Sequence, residues 1–579
     1  MHARNRRLAW LIGLGMSAAL FALIALFFDW RYSQNDDVAI MRSFMGFETG
    51  TPASFHIFVH GLLARPIHWL ALRFPTVAWF SVFQVGLLFL GSVVLQKSVI
   101  QCALKTGAGL ASGSLLALVG WLLFVFPYCV RVTFTQTAAI LGAAAAMQIM
   151  SLEHDKPAAV VRGMLLATLL AVLAYALRQD ALAPVLAFCG VAFVFVFCTE
   201  YGLGGAAKRA ARPMLVSLLV VAVALGGMLG WRAAETAQCG DADYLAWQEV
   251  RTLLLDQYGI DNLPGEALEA VGWSPNMASL VSSQWFFLDE SVSTEALRTL
   301  TEYALKERDN SLPGLLNRAS GVVNALWKGS RPEHAALFAA AALALISLLA
   351  AALAGRGQRG WLLGAAGLTL AAAILMALYL SMFLGRMPLR AALLLLLPTE
   401  MLLLAVFLRA CGCRERAGKR AFVALVCVLA VFCGFSLRAE LPQLLRDDEA
   451  AAEFGDANRD LMDYALSDEE MFIIHDLTLL TSRDLFPDVS EGIPHNVSCW
   501  GGWNLRSPES VEQFAAYDID LLHFDPETFL REDVLFATGV VDPPPNQLLS
   551  YLREKVDPNV DYTIYGENGF AYFFQFYIP

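Results

Sequence analysis

The chain reads as a polytopic α-helical membrane protein of about eleven spans with a small C-terminal α/β domain. Three observations carry that reading. The 579 residues are 57% hydrophobic and only 16% charged, with a mean hydropathy of +0.53, more apolar surface than a soluble core could hide. Apolar runs of about 20 residues, the length that crosses a bilayer, recur along the sequence. Basic residues gather in alternate connections, as cytoplasmic loops of membrane proteins do.

Arg4, Arg6 and Arg7 precede an apolar run over 8–28. The start resembles a secretory signal. The run is long, however, and no small-residue cleavage site precedes Asp29, so it is read as an uncleaved first span with a cytoplasmic N-terminus. Further spans are expected at roughly 75–96, 109–128, 132–151, 160–177, 181–198, 213–231, 335–354, 361–383, 391–408 and 421–437. The inner connections then hold Lys97 and Lys105, Lys156 and Arg162, and Lys208, Arg209 and Arg212. Later ones hold Arg356 and Arg359, then Arg409, Arg414, Arg416, Lys419 and Arg420. An odd number of spans leaves the tail outside. The expected division is a membrane domain over 1–437, with outer loops 29–74 and 232–334, and an extracytoplasmic domain over 438–579.

Within 29–74, the stretches 55–63 and 67–70 mix apolar residues with His and Arg, as a helix or helix pair in the interface would. In the tail, apolar runs such as Met471–Ile474 and Ile519–Leu522 alternate with turn signals. The last strands are expected at Tyr562–Tyr565 and Phe570–Tyr577. No internal repeat is visible. Ten cysteines are scattered, without a C-x-x-C pair, and Cys411-Gly412-Cys413 is too tight for a zinc motif.

Four segments place ionisable groups on the outer face. Asp36 and Asp37 follow the first span. Arg131, Thr133 and Thr135 lie at the mouth of the third and fourth. Arg178-Gln179-Asp180 forms one short outer turn, and Gly385 to Arg390, with Arg386 and Arg390, forms another. Charges in such short turns face protein, a water-filled cavity or headgroups. A carboxylate there could act as a general base or hold a divalent metal. Arginines could grip a phosphate by forked hydrogen bonds. A lipid-linked phosphate would enter from the bilayer and meet Arg178, Arg386 or Arg390.

With a cytoplasmic N-terminus, one span, Asn35-Asp36-Asp37 opening the first outer loop, many spans and an outer tail, the chain resembles the GT-C superfamily of integral-membrane glycosyltransferases. The resemblance is to the polyprenyl-phosphate-sugar-dependent type, and Arg178 and Gly385-Arg386 add to it. It implies a sugar donor on a polyprenyl phosphate, an acidic residue of the first loop as base or metal ligand, and a glycan, lipid or protein acceptor. The WWD-type signature of oligosaccharyltransferases is absent. The expected activity is inverting transfer at the outer face of the cytoplasmic membrane, with Asp37 slightly preferred over Asp36 as base. Arg178, Arg386, Arg390, Arg131 and Asp180 are the candidates around the phosphate. No cofactor is required by this reading, although a divalent metal could serve, and no nucleic-acid partner is expected.

Each residue also has a plainer reading. The acidic pair could be a solvated helix start, Arg178 with Asp180 a structural ion pair, and Arg131, Arg386 and Arg390 snorkelling anchors. His56 and His60, four apart, would share a helix face and could bind metal, with His68 nearby. Trp273 to Asn276 and Trp285-Phe286-Phe287 could touch sugar or form a loop core. Cys499-Trp500-Gly501-Gly502-Trp503 reads as a tight turn between tryptophans. Asn496-Val497-Ser498 fits a glycosylation acceptor, and Cys239 could pair with Cys499. Rival functions are a lipid-linked glycan polymerase, ligase or flippase, a transporter, and a non-catalytic protein of envelope biogenesis. The transporter lacks support from paired interrupted helices or repeat symmetry.

Overall fold

A computed structural model describes the chain except residues 1–2, 48, 153–156, 202–204, 239–241, 261–262, 287, 330–333, 413–414, 480–482, 541 and 543. Cys239, and with it the suggested disulfide, lies outside the described residues, as do Phe287, Lys156 and Arg414. The first part holds α1 (Ala3–Phe27), β1 (Arg31–Tyr32), α2 (Asn35–Met45), α3 (Gly61–Arg73), α4 (Trp79–Lys105), α5 (Leu110–Phe124), α6 (Phe126–Val130), β2 (Arg131–Val132) and α7 (Phe134–Met150). Then come α8 (Pro157–Leu177), α9 (Leu182–Tyr201) and α10 (Gly205–Gln238). The second large loop carries α11 (Ala242–Arg251), α12 (Gly265–Ala270), α13 (Pro275–Ser282), α14 (Thr294–Glu307) and α15 (Leu312–Gly329). After it run α16 (His334–Leu353), α17 (Arg356–Leu378), α18 (Leu389–Gly412) and α19 (Glu415–Ser467). The tail adds β3 (Phe472–His475), β4 (Val497–Cys499), α20 (Pro508–Ala515), β5 (Val534–Thr538), α21 (Pro544–Lys555), β6 (Asp561–Asn568) and β7 (Ala571–Tyr577).

Eight described helices are long and apolar enough to cross a membrane, and three shorter apolar helices, Leu110–Phe124, Phe134–Met150 and Leu337–Leu353, accompany them. Helix α7 is the axis of the bundle, because every one of its residues is buried. Its run Gly142-Ala143-Ala144-Ala145-Ala146 explains this: small side chains let α4, α8, α9 and α18 approach its backbone closely. In the first loop, α2 and α3 are amphipathic. Helix α3 buries Leu63, Ala64, Ile67 and Ala71 and leaves Trp69 and Leu72 exposed, the arrangement of a helix lying at an interface.

Helix α19 runs unbroken from the bundle into the tail, so the expected division at 437/438 falls inside it. Residues 438–452 are rich in Ala, Leu, Glu and Arg, strong helix formers, and Pro442 interrupts one hydrogen bond without ending the helix. The tail strands form one mixed sheet in the order β4-β3-β5-β7-β6. The sheet and the second loop bury their apolar faces in a single core. Trp247, Trp273, Trp285 and Phe286 from the loop meet Trp500, Phe529, Phe536 and Phe574 from the tail. Trp285 stacks on Trp500 at 4.2 Å between centroids. Trp285 and Phe286 are therefore core residues rather than exposed sugar contacts.

Two sequence expectations are corrected here. Asn496 is fully buried. Its Nδ2 donates to the carbonyls of Ala465 at 3.0 Å, Asp468 at 2.9 Å and Met471 at 2.8 Å, so the folded chain presents no glycosylation acceptor there. His56 and His60 do not share a helix face, because α3 begins only at Gly61 and His60 is its N-cap. His60 Nδ1 accepts from Leu62 N at 3.0 Å, so Nε2 carries the proton it gives to Met228 O at 2.9 Å. His56 Nδ1 accepts from Phe58 N, and burial, with Arg232 nearby, draws its pKa down to about 3. His68 Nδ1 pairs with Pro52 O. Both nitrogens of His60 and one of each of the others are thus committed within the protein.

Candidate functional site

The first loop is pinned to the mouth of α7 by a two-residue parallel pairing, Arg31 with Arg131 and Tyr32 with Val132. Ser33 N continues it by donating to Val132 O at 2.9 Å. Helix α2 then starts at Asn35, with Asp36 and Asp37 in its first turn, where unpaired N–H groups favour negative charge. Successive helical residues point about 100° apart, so the two carboxylates take different surroundings.

Asp37 points inward. It is 0% exposed, and its Oδ1 accepts from Phe134 N at 2.6 Å and Gln84 Nε2 at 3.3 Å. Its Oδ2 is buried without a hydrogen-bond partner. Burial pushes its pKa up to about 7, against the two hydrogen bonds. Asp36 points outward and is 29% exposed. Its Oδ2 accepts from Arg390 Nη2 at 2.9 Å, and its Oδ1 accepts from Trp503 Nε1 at 3.4 Å. Arg390 Nη1 also donates to Gln34 Oε1 at 2.8 Å, so one guanidinium bridges the loop and α18.

Asp36 lines a cavity of about 750 Å³ between the loops and the bundle. Arg178, Arg251, Arg386, Arg390 and Arg483 line it together with Asp36, Asp180 and Asp256. Each aspartate already has an arginine: Asp36 with Arg390 at 2.9 Å, Asp180 with Arg178 at 3.2 Å, Asp256 with Arg386 at 2.8 Å. Five arginines against three aspartates leave a surplus of positive charge, in a chain whose net charge is -12. On the bundle side the wall is aliphatic. Leu380 and Leu384, and Leu394 and Leu395, belong to the candidate spans Gly357–Leu384 and Leu389–Gly412.

Irregular helix shapes much of this wall. Thr252–Tyr258 and Tyr379–Leu384 are π-helical, and the first closes with Gly259 N donating to Leu254 O at 2.7 Å, five residues back. Such widened turns occur disproportionately at functional sites. They carry Thr252, Asp256 and Gln257 on one side and Leu380 and Leu384 on the other. Gln284 also lines the cavity, with φ 69° on a non-glycine residue, the local strain that persists where surroundings enforce it.

Arg178 lies 4.6 Å from the Phe134 ring. Burial lowers its pKa, with Asp180 opposing. Arg251 is likewise drawn down to about 10 by burial, with Asp256 opposing; it remains a cation near neutrality. Its guanidinium sits 4.0 Å over Trp503 and donates to Gln284 Oε1 at 3.2 Å. Arg483 Nη1 donates to Ser33 O at 3.1 Å.

Of the residues expected from the sequence, Asp36, Asp180, Arg178, Arg386 and Arg390 share this cavity. Asp37, the preferred base, does not line it, because the first turn of α2 aims it at α4 and α7. Arg131 does not line it either. It pairs with Asp448 and donates to Asp29 O at 3.0 Å and Leu444 O at 2.9 Å, tying α19 to the first loop. It lines a smaller neighbouring cavity of about 200 Å³ with Gln34 and Arg390. Arg251, Asp256, Gln284 and Arg483 were not anticipated, and no spacing marks them. Trp503 was visible only as part of the Trp-Gly-Gly-Trp turn. Among the described residues no three His, Cys, Asp or Glu side chains gather as a metal ligand set. The donor set of the cavity suits an anion.

No family model matches the chain, and no curated protein does. Among solved structures, ArnT from Cupriavidus metallidurans bound to undecaprenyl phosphate aligns over 97% of this chain and 97% of its own, at 12% identity and a TM-score of 0.40. The apo state of the same protein aligns over the same shares at 11% identity and a TM-score of 0.40. At that level of likeness, the residues of the cavity itself carry the functional reading.

Proposed function

We propose that the chain is a membrane glycosyltransferase that moves a sugar from a polyprenyl-phosphate donor to an acceptor hydroxyl in this cavity. The observation that carries the reading is the joining of an arginine-rich mouth to an aliphatic wall on membrane-spanning helices. A lipid-linked phosphate has both halves of that chemistry. The charge bias of the loops supports a cavity that opens on the extracytoplasmic side of the cytoplasmic membrane.

In the proposed reaction, the phosphate of the donor competes with Asp36 for Arg390. Arg178, Arg251, Arg386 and Arg483 supply further cationic contacts from the walls. Asp36, released from its ion pair, takes the proton of the acceptor hydroxyl. The acceptor oxygen bonds to the anomeric carbon as the bond from that carbon to the phosphate oxygen breaks, and the electron pair leaves with the polyprenyl phosphate. A single displacement inverts the anomeric centre. Asp37 holds the start of α7 against α2 and takes no proton from the substrate.

The test is Asp36→Asn in purified full-length protein reconstituted with a total membrane extract of the source organism. Release of polyprenyl phosphate, followed by mass spectrometry, should fall by about 10² or more, the scale of losing a general base. Wild-type release would sink the mechanism. Loss on substituting Arg178 and Arg386, with Asp36→Asn active, would favour the polymerase, ligase or flippase reading.

A further inference from the structure

We propose that Trp503, contributed by the C-terminal tail, is a positioning residue for the Asp36 carboxylate, which makes the tail a working part of the active site. The inference rests on the reading of Asp36 as the base. Asp36 and Trp503 are 467 residues apart in sequence, yet the indole N–H donates to Asp36 Oδ1 at 3.4 Å. The only other side chain among the described residues that hydrogen-bonds to Asp36 is Arg390. When the donor phosphate engages Arg390, Trp503 is left to fix the orientation of the carboxylate through proton transfer. Hydrogen bonds of this kind are often long before substrate arrives and tighten in the reacting complex.

The indole is held from several sides. The Arg251 guanidinium lies 4.0 Å over its ring, and Phe58 from the first loop meets it edge-on at 4.6 Å. Its own carbonyl accepts from Tyr244 Oη at 2.7 Å and Gln248 Nε2 at 2.8 Å, both on α11. The turn before it admits only glycine. A Cβ on Gly501 would stand 2.5 Å from Gln284 O, and Gly502 has φ +110°. Trp500 anchors the turn in the shared core, fully buried beneath Trp285. First loop, second loop, tail and bundle thus converge on one carboxylate. A purely packing role would need the ring alone, and phenylalanine would supply it. A positioning role needs the N–H.

The experiment compares wild type, Trp503→Phe, Trp503→Ala, Gly501→Ala and Asp36→Asn as full-length proteins in proteoliposomes. Initial rates of polyprenyl phosphate release are measured against increasing amounts of total membrane extract. With its melting temperature close to wild type, Trp503→Phe should lose about tenfold in maximal rate, with the half-saturating amount unchanged. Trp503→Ala should lose more. Gly501→Ala, which displaces the turn while keeping the indole, should show the same pattern as Trp503→Phe. A wild-type maximal rate in Trp503→Phe, with Asp36→Asn inactive, overturns the role of Trp503 alone. A wild-type rate in Asp36→Asn overturns the glycosyltransferase mechanism, and this inference with it.

Discussion

Replacing Asp37 by Asn should remove a pH-dependent penalty from the fold without touching the cavity. The Asp37 carboxyl is fully buried, and burial raises its pKa from 3.8 to about 7. A raised value means that the folded state prefers the protonated form. Stability is then full below about pH 4 and is lost as pH rises towards 7. A gap of about three units at 1.36 kcal/mol each puts the loss at about 4 kcal/mol. Asparagine keeps an oxygen to accept from Phe134 N and Gln84 Nε2. Its Nδ2 brings two N–H donors, where the protonated acid brings one O–H, to the place where Oδ2 now has no partner, a cost that does not change with pH. The stability of the variant relative to wild type should therefore rise by about 4 kcal/mol between pH 3.5 and pH 8.5. Thermal unfolding of the solubilised protein across that range measures this. Asp476, raised by burial, and His56 and His475, both lowered to about 3 by burial, titrate in both proteins and cancel in the difference. Parallel curves for the two proteins would refute the reasoning.

Arg390→Lys should keep the charge but lose the fork that spans Gln34 and Asp36. Transfer should fall by about 10- to 100-fold, while the melting free energy changes by about 1 kcal/mol or less, since the pair is partly exposed. Rate and melting curve on one preparation check both parts. Asn496→Ala removes the donor to three carbonyls, those of Ala465 and Met471 buried and that of Asp468 partly so, and should cost about 3 kcal/mol of stability, read from thermal unfolding. The wild-type protein made in a glycosylating host should carry no glycan at this position, read from its intact mass.

The placing of hydrophobic helices was legible because about 20 apolar residues in a row have few other uses. The convergence of Asp36, Arg178, Arg386 and Arg390 was legible for a related reason: short turns between spans fix depth, so charges in them share a level. What the sequence could not show was direction. Asp36 and Asp37 are chemically identical neighbours, and only the phase of α2 turns one to the cavity and the other to Phe134 and Gln84. Arg251 and Arg483 were hidden because large loops carry no depth information; Arg251 is placed by the core that the second loop shares with the tail, and Arg483 by backbone hydrogen bonds between the tail and the first loop, Tyr32 N to Arg483 O and Leu485 N to Trp30 O. Asn496 was misread because a triplet pattern carries no burial. The continuation of α19 past 437 was hidden by reading the end of an apolar run as the end of a helix, although Ala, Leu, Glu and Arg continued it.

In the proposed reaction, the charge balance of the cavity would bear on rate as well as binding. A sugar linked to a polyprenyl phosphate is a phosphodiester with one negative charge. Once the sugar leaves, the phosphate is a monoester carrying about -1.5 to -2 near neutrality. Five arginines and three aspartates leave two positive charges in excess, and protonation of Asp36 by the acceptor would raise the excess to three as the phosphate gains its second charge. Contacts that strengthen as charge develops lower the barrier, whereas contacts equally good to donor and leaving group only tighten binding. The aspartates are needed for this. Without Asp180 and Asp256 the arginines would hold the donor more tightly from the outset, and the product more tightly still. Paired as they are, Arg178 and Arg386 are restrained by their own carboxylates, and Arg390 alone must exchange a partner for the reaction to begin. On the proposed mechanism, the ion pair between Arg390 and Asp36 is therefore the point at which arrival of the phosphate and freeing of the base become one event.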